Sequence, residues 1–283
     1  MKYEGVDLTR NNYRSVLEGY DNEILEIVEL CIKDNTDIGK YIARCRSDGY
    51  RLWEIRQCIK HNMPKQLYEK IRFPKVLQKL RKSKSEGKNI KTILSYMSTK
   101  YTEKAMLCVI DLAEDGYDLT GYNLSVISDD CIDLFAECIK EGIDIREYIN
   151  KKGATNREIF ARIQSLTKKG MNTEYFLTQD WTPYQLDVII ENLAYTDYYD
   201  KVMPYIKPET MNPYYIEQGI YLVKRGMKSE EVFTKKLSEI ITMNSAIEAG
   251  VKKDWMESKD ITTDEIRIKA KIEKRKKGKV HTL

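Results

Sequence analysis

Apolar residues recur along the chain at three, four, seven and ten residues before a series of turn residues, most of which are glycine or asparagine. These offsets place side chains on one face of an α-helix, so the pattern predicts amphipathic helices that end at the turn residues. No segment alternates apolar and polar residues with a period of two, and the pattern therefore predicts no β-strands. We expect an all-α protein.

The turn residues recur at intervals of about 27 residues, which indicates an internal repeat. Glycine and asparagine suit these positions because they tolerate the left-handed backbone with which many helices end. The nine positions are Asn35, Asn62, Gly87, Gly116, Gly142, Gly170, Asp197, Gly226 and Gly250. The pattern is weakest around Gly87 and Asp197, and Gly5 begins a partial earlier copy.

A second, shorter set of apolar residues follows each turn, and its most regular member is the sixth residue after the turn residue. This column is Tyr41, Tyr68, Ile93, Tyr122, Tyr148, Phe176, Met203, Val232 and Met256. The pattern therefore predicts that each unit consists of a helix of three to four turns, a turn, and a helix of about two turns.

A single hairpin of this kind leaves its apolar face uncovered, whereas stacked hairpins share a continuous core. We therefore expect an α-solenoid of about nine stacked helix-turn-helix repeats over residues 21–258. Residues 1–20 are expected to form an N-terminal cap, and residues 259–283 a basic C-terminal helix or tail.

Side chains that accept backbone N–H groups mark several helix starts. Aspartates with this role stand two residues after three of the turn residues, as Asp37, Asp118 and Asp144. The sequence TNRE at 155–158 has the form of a capping box that begins at Thr155. Thr182 and Asn212 each precede a proline, which is favoured at the first helical position.

Several segments share a family-like pattern beyond the apolar spacing. WTPYQLDVIIENL at 181–193 represents the first half of a unit, and TDIGKYIA at 36–43 and GIDIREYI at 142–149 represent the second half. With these segments the chain resembles short helical-hairpin repeat proteins of Firmicutes phages and mobile elements, over about residues 20–257. The resemblance implies a repeat scaffold from a phage or an integrated element, and it implies no catalytic residue.

Composition narrows the class of protein. The 283 residues are 42% hydrophobic and 33% charged, and the apolar runs are far shorter than a membrane span. The first residues, MKYEGVDLTR, lack the apolar core of a secretion signal. Six cysteines are too few for a disulfide scaffold. We therefore expect a cytoplasmic protein with free thiols and no membrane partner.

Three similar pentapeptides, CIKDN at 31–35, CIKHN at 58–62 and CIKEG at 138–142, place a cysteine in one column of the helical face. Their spacing follows the repeat and contains no CxxC pair, which favours core packing over a metal or redox site. His61 lies in a turn, and the sequence offers it no set of partner ligands. We therefore expect neither a metal nor a cofactor.

Motifs for nucleotide binding and hydrolysis are absent from the sequence. It contains no GxGxxG or P-loop signature, no GxSxG and no HExxH. Adjacent acids such as Asp129 and Asp130 fall near a helix start, where they complement the helix dipole. We therefore expect a protein that is not an enzyme.

Charge occurs in blocks. Segment 75–91 has seven basic residues and one acidic residue, segment 111–144 has ten acidic residues and one basic residue, and segment 267–279 has eight basic residues and one acidic residue. A lysine also recurs two residues before the turn residue, on the side of the helix away from the apolar face. The basic residues that we consider as contacts for a partner or for phosphate are Lys33, Lys60, Lys140, Lys168, Lys224, Lys79, Arg81, Lys82, Lys84, Lys88, Lys274, Arg275, Lys276 and Lys277.

Three interpretations of these basic residues stay open. They form a solvated surface with a basic tail, they neutralise the phosphates of a nucleic acid, or they face a protein of complementary charge. Tyrosines also cluster beyond the sixth-position column, as Tyr198, Tyr199, Tyr214 and Tyr215. This aromatic patch is either a contact surface or additional packing between units.

The leading functional hypothesis is a non-enzymatic helical repeat scaffold that binds a macromolecular partner, with protein placed first. The resemblance to phage proteins suggests antagonism of host defence as an extension. The alternative is a nucleic-acid-binding helical repeat protein that uses the basic segments 75–91 and 267–279.

Overall fold

A computed structural model describes residues 1–256 and 261–280, and for residues 277–280 it describes the backbone alone. Within these ranges the regular structure is helical except for one short hairpin, which confirms the all-α class. The chain divides into two compact units, unit 1 with residues Met1–Ala136 and unit 2 with residues Glu137–Leu283.

Long and short helices alternate along most of the chain. Before residue 120 the elements are β1 (Lys2–Tyr3), β2 (Val6–Asp7), α1 (Tyr13–Val16), α2 (Asn22–Lys33), α3 (Gly39–Ile42), α4 (Gly49–Lys60), α5 (Lys65–Lys70), α6 (Pro74–Ser85), α7 (Ile90–Ser95) and α8 (Glu103–Glu114). The later helices are α9 (Ile132–Lys140), α10 (Arg146–Lys152), α11 (Arg157–Lys168), α12 (Pro183–Leu193), α13 (Tyr199–Val202), α14 (Pro213–Lys224), α15 (Ser229–Val232), α16 (Leu237–Ala249), α17 (Lys253–Met256) and α18 (Thr263–Val280). Short 3-10 helices lie at Ala43–Cys45, Leu124–Val126, Asp129–Cys131, Glu174–Phe176 and Met203–Tyr205.

Each predicted unit contains one long helix at the expected position. The long helices are α2, α4, α6, α8, α9, α11, α12, α14 and α16. In unit 1, α2, α4, α6 and α8 pack against one another in succession, and in unit 2 α11, α12, α14, α16 and α18 do the same. No helix of the described ranges is both long enough and apolar enough to cross a membrane.

The two core columns are buried as the repeat predicts. The residues four before the turn residue are at most 1% exposed in all nine repeats. The sixth-position column is also buried throughout, and several of its rings pack edge to face, as Tyr41 does on Tyr68. The predicted register of the repeat is therefore confirmed in both units.

Eight of the nine turn residues have the left-handed backbone predicted for them. In these units the N–H group of the next residue donates to the carbonyl oxygen four residues before the turn residue, which is the Schellman arrangement. In the three cysteine pentapeptides these bonds are Thr36 to Cys31 at 2.9 Å, Met63 to Cys58 at 2.9 Å and Ile143 to Cys138 at 2.8 Å.

The unit predicted around Asp197 departs from this pattern. Leu193 is fully buried as its column requires, but α12 ends there, and Ala194 leaves the helical conformation. The left-handed residue is Tyr195, with φ 65°, instead of Asp197. The prediction of Asp197 as the turn residue was therefore wrong by two positions.

Helix starts agree with the sequence pattern in most cases. The aspartates two residues after the turn residues accept backbone N–H groups: Asp37 from Gly39 at 3.1 Å, Asp118 from Thr120 at 2.9 Å and Asp144 from Arg146 at 3.0 Å. Thr182 and Gln185 form a capping box, and Asn212 caps α14. The prediction for α11 was wrong by one residue, because Asn156 caps the helix instead of Thr155.

The second elements α5, α7 and α10 have the predicted length of about two turns, whereas the other six are shorter. Four of them are α-helices of four residues, and two are 3-10 helices, Leu124–Val126 and Glu174–Phe176. One turn suffices in these units, because the element has mainly to bury the residue at the sixth position.

The N-terminus contains strands that the sequence pattern did not predict. β1 and β2 pair as an antiparallel hairpin whose two turn residues, Glu4 and Gly5, both have positive φ, as a tight hairpin turn requires. Gly5 therefore belongs to a hairpin and not to a helix end. Strands of two residues are too short for alternation to be recognised. β1 lies against α3, where a Cβ atom on Gly39 would come within 1.7 Å of the Lys2 carbonyl oxygen.

Candidate interaction surface

The lysines two residues before the turn residue divide into paired and unpaired members. Lys60 donates to Asp34 at 2.9 Å, and Lys168 donates to Glu141 at 2.8 Å, so each reaches the turn of the preceding repeat. Lys33 pairs with Glu29 on its own helix at 2.9 Å. Within the described residues, the exposed side chains of Lys140 and Lys224 have no hydrogen-bond or ion-pair partner.

Asp34 forms the most connected of these contacts. Its carboxylate receives Arg56, whose side chain is only 7% exposed, together with Lys60. Thr36 also donates to it, at 2.6 Å. Burial alone would raise the pKa of Asp34, but the hydrogen bonds from Thr36 and Lys60 and the charge of Arg56 outweigh it and lower the pKa to about 2.

Most cations of segment 75–91 are also committed within unit 1. Lys79 pairs with Asp111 at 2.8 Å and with Glu114 at 3.2 Å. Arg81 pairs at 3.2 Å with Glu54, whose side chain is 2% exposed. Burial raises the pKa of Glu54, and the nearby Arg81 charge opposes that rise.

The remaining residues of this segment make weaker contacts. Lys82 pairs with Glu86 at 3.7 Å on an exposed face. Lys84 donates to the backbone carbonyl oxygens of His61 and Asn62, at 3.0 Å and 2.7 Å. Lys88 donates to the carbonyl oxygen of Glu114 at 3.2 Å. Lys84 and Lys88 therefore serve as links between repeats.

The basic residues of the C-terminal segment are less engaged. Lys274 and Arg275 are exposed on α18 and have no ion-pair partner within the described residues. Lys276 pairs with Glu273 at 3.0 Å. The side chain of Lys277 lies outside the described residues, as do residues 259–260 and 281–283 of the predicted tail.

The structure separates the four tyrosines of the predicted aromatic patch. Tyr199 is 3% exposed, and its hydroxyl donates to the Asn172 carbonyl oxygen at 2.6 Å, so it has the packing role. Burial raises the pKa of Tyr199. The Tyr215 hydroxyl donates to the Lys235 carbonyl oxygen at 2.7 Å.

Tyr198 and Tyr214 lie at opposite ends of α14. The Tyr198 hydroxyl lies 3.4 Å from the carbonyl oxygen of Lys224, the last residue of that helix. Tyr214, which is 50% exposed, is the second residue of the same helix. With a rise of about 1.5 Å per residue, the two ends are about 15 Å apart. The four tyrosines therefore do not form one surface.

A further exposed tyrosine, Tyr195, lies just after the end of α12. Tyr195 is 76% exposed, and the Lys169 ammonium lies 5.0 Å from the centroid of its ring. A bulky residue with positive φ is an outlier that costs about 1–3 kcal/mol relative to relaxed backbone. Because the ring is largely in water, packing within the fold does not account for a tyrosine at this position.

A groove of about 420 Å³ includes Tyr198, which follows Tyr195 by three residues in the chain. Tyr198, Tyr205, Lys201 and Lys228 line it, and Val223 and Met227 add apolar surface. The Lys201 ammonium lies 5.6 Å from the centroid of the Tyr198 ring, and Tyr205 is 37% exposed. The groove also holds the acidic residues Asp200 and Glu230. It can therefore accept both signs of charge around aromatic and apolar contacts.

We name this surface of unit 2 the tyrosine edge. Its members are Tyr198, Lys201, Tyr205 and Lys228, which line the groove, together with the exposed Tyr195, which precedes Tyr198 by three residues in the chain. The sequence interpretation placed a candidate contact patch at residues 195–221 and named Tyr198 in it, but it did not single out the other four. The signal in the sequence was the poor match of the repeat around Asp197, where α12 ends earlier than the repeat predicts.

The cysteine columns have no metal-binding geometry. Cys31, Cys58 and Cys138 are fully buried, and desolvation raises the pKa of each thiol to about 12. In the described ranges, no three His, Cys, Asp or Glu side chains come together as metal ligands. These cysteines therefore occupy core positions and are poor nucleophiles.

No family, no curated protein and no solved structure matches this chain.

Proposed function

We propose that the protein is a non-enzymatic α-helical solenoid scaffold that binds a protein partner through the tyrosine edge of unit 2. The observation on which the proposal depends is the exposed Tyr195 ring on left-handed backbone. Eight equivalent positions have glycine or asparagine, which adopt this conformation at lower cost. A tyrosine that destabilises the turn without packing in the core is explained by a contact made outside the chain.

The neighbouring side chains support a protein as the partner. Tyrosine supplies a large rigid contact area, and it is enriched among the residues that dominate binding energy. Lys201 and Lys228 share their groove with Asp200 and Glu230. Such mixed charge suits a polypeptide that has both signs, whereas it opposes a continuous phosphate backbone.

The ion pairs of unit 1 weaken the alternative of nucleic-acid binding. Phosphate contacts need cations that are free to replace counterions. In segment 75–91, Lys79 and Arg81 are held by carboxylates, and Lys84 and Lys88 are held by carbonyl oxygens. The resemblance to phage and mobile-element proteins extends the proposal, with a component of host defence as the partner.

Partner capture with matched variants tests this proposal. Tagged wild-type protein is used to isolate partners from the cells in which the protein is made, and the bound proteins are identified by mass spectrometry. We expect Tyr195→Gly to lose a stoichiometric partner that the wild type retains. Tyr184→Ala is the control, because Tyr184 is 74% exposed on α12 and lies outside the tyrosine edge.

Two results would contradict the proposal. One is a partner that Tyr195→Gly retains at the wild-type level. The other is binding to DNA or RNA that weakens steeply with salt and survives both tyrosine variants, which is the behaviour of a nucleic-acid-binding protein.

A further inference from the structure

The solvent face of α18 departs from the polar surface expected of an outer helix. Ile266 and Ala270 are buried on the face toward α16. Ile268 and Ile272 are 58% and 42% exposed, and they are the largely exposed isoleucines of the described residues. Because they are four residues apart, they form one apolar stripe on the helix surface.

Cations without an ion-pair partner among the described residues lie beside this stripe. Lys271 and Arg275 follow Ile268 and Ile272 by three residues, which places them next to the stripe, and Lys274 lies near them. Within the described part of the chain, these three cations have no ion-pair partner.

The acidic residues of α18 are committed elsewhere. Asp264 pairs with Arg267 at 3.1 Å, and Glu273 pairs with Lys276 at 3.0 Å. Glu265 accepts the backbone N–H of Thr262 at 2.7 Å and so caps the helix. The hydrogen bond from the Thr262 backbone lowers the pKa of Glu265 below its ordinary value, which favours the ionised carboxylate at the cap. The stripe therefore lacks the carboxylates that would complement its cations.

We propose that the Ile268–Ile272 stripe of α18 is a second docking surface, and that its partner is an amphipathic helix with acidic residues beside its apolar face. An apolar seam flanked by opposite charges is the arrangement with which paired helices select one another. This surface is distinct from the tyrosine edge, and it does not depend on the function proposed for that edge.

Other occupants fit the surface less well. A second copy that docks through the same stripe by two-fold symmetry brings Lys271 and Arg275 of the two copies together, and like charges oppose that contact. A membrane surface requires a broad apolar face, whereas Ile266 and Ala270 are already covered by packing in unit 2. A phosphate backbone makes no use of the two isoleucines.

A designed peptide provides the probe for this surface. It has three heptads with leucine at positions a and d and glutamate at positions e and g, so that its own charges prevent it from pairing with itself. A second peptide has alanine in place of leucine, and a third has lysine in place of glutamate. Binding to the full-length protein is measured by fluorescence anisotropy at low and physiological salt.

We expect saturable binding of the leucine–glutamate peptide and none of the other two. Ile268→Gln/Ile272→Gln and Lys271→Glu/Arg275→Glu should each weaken binding by about tenfold or more. Lys100→Glu/Lys207→Glu changes the net charge equally, involves exposed residues outside α18, and should keep the wild-type affinity. Far-UV circular dichroism verifies that all variants stay folded.

Three outcomes overturn the proposal. They are no saturable binding of the leucine–glutamate peptide, binding that the isoleucine variant leaves unchanged, and binding that the control variant weakens as much as Lys271→Glu/Arg275→Glu does. Anionic vesicles and single-stranded oligonucleotides are titrated in parallel. Tighter binding to either one, lost in the α18 variants, assigns the stripe to that ligand and refutes the helical partner.

Discussion

Neighbouring turns are linked by lysines in unit 1. Lys60 reaches the carboxylate of Asp34, and Lys84 reaches the carbonyl oxygen of Asn62. Lys88 reaches the carbonyl oxygen of Glu114. Each ammonium is thus used to connect one repeat to the next, and it complements the partial negative charge at a helix C-terminus.

In unit 2, lysine side chains bond neighbouring turns at the first and last pairs of turns, where Lys168 contacts Glu141 and Lys253 contacts the Gly226 carbonyl oxygen. Between them, the links are made by rings. Lys169 lies over Tyr195, and the Tyr198 hydroxyl meets the carbonyl oxygen of Lys224.

The two units differ in which side chains at their turns stay exposed and can contact a partner. A lysine that donates to a neighbouring turn has its charge compensated and offers little to a partner. A tyrosine that meets a neighbouring lysine over its ring still exposes most of its surface, as Tyr195 does. The turns of unit 1 therefore use their lysines within the fold, whereas unit 2 keeps an exposed ring at the Tyr195 turn, on which the proposed function depends.

We expect the largest loss of stability when the contact between Asp34 and Arg56 in unit 1 is removed. Asp34→Asn leaves the guanidinium of Arg56, which is 7% exposed, without its counter-charge. We expect the free energy of unfolding to fall by about 2 kcal/mol, because a buried charge that loses its partner keeps its desolvation cost. Urea unfolding measures the total change, and hydrogen exchange in α2 and α4 locates it.

A matched exposed pair serves as the control for this variant. Glu86→Gln removes the partner of Lys82, and these side chains are 49% and 70% exposed. It should change stability by less than about 0.5 kcal/mol, as is usual for surface ion pairs. Equal effects of the two variants would show that the Asp34 link has no special role in unit 1.

The sequence predicts the elements that the repeat enforces many times over. Nine long helices, their buried columns and eight left-handed turns follow from apolar spacing and from glycine or asparagine at the turn. The turn at Tyr195 was missed because α12 ends two residues earlier in the repeat than the other long helices do, and the repeat pattern is also weak there. Pairing between Lys84 and a carbonyl oxygen of an adjacent turn leaves no signal, since a backbone acceptor has no residue type.

The candidate site shows the same limit. Spacing along a helix predicted correctly that the lysine column faces away from the core, as the exposed side chains of Lys140 and Lys224 show. It did not show which lysines meet an acid in the next repeat. That depends on the lateral offset between stacked helices, which one sequence period does not determine.

The pH dependence of unit 1 should show the Asp34 link directly. The pKa of Asp34 is about 2 in the folded protein, below its ordinary value of 3.8. The stabilisation is therefore complete above about pH 4 and is lost as the pH falls toward 2, because only the unfolded chain binds a proton in that window.

Thermal melts between pH 2 and 5 test this prediction. The wild type should lose stability more steeply than Asp34→Asn below pH 4, so that the two curves converge at low pH. Glu29 and Glu69 also have lowered pKa values, because of hydrogen bonds from Lys33 and Lys40, and they give both proteins a shared acid sensitivity. Parallel curves over the whole range would show that Asp34 is not stabilised in the folded protein.

The smallest effect has the opposite sign and falls on the tyrosine edge. Tyr195→Gly removes backbone strain of about 1–3 kcal/mol, but it also adds disorder to the unfolded chain and removes the contact with Lys169. The net change should be a gain in stability of up to about 1 kcal/mol, measured as a higher midpoint of urea unfolding.

Asn62→Gly provides the comparison in unit 1, because Asn62 has φ 49° at an equivalent turn. Asparagine already tolerates this backbone, so the substitution should leave stability within about 0.5 kcal/mol of the wild type. A loss of stability in Tyr195→Gly would mean that the ring supports the fold, and the case for an external contact would then fail. A gain in stability together with loss of the partner would show that the Tyr195 turn gives up stability for recognition. The turns of unit 1 would then differ from it in serving stability.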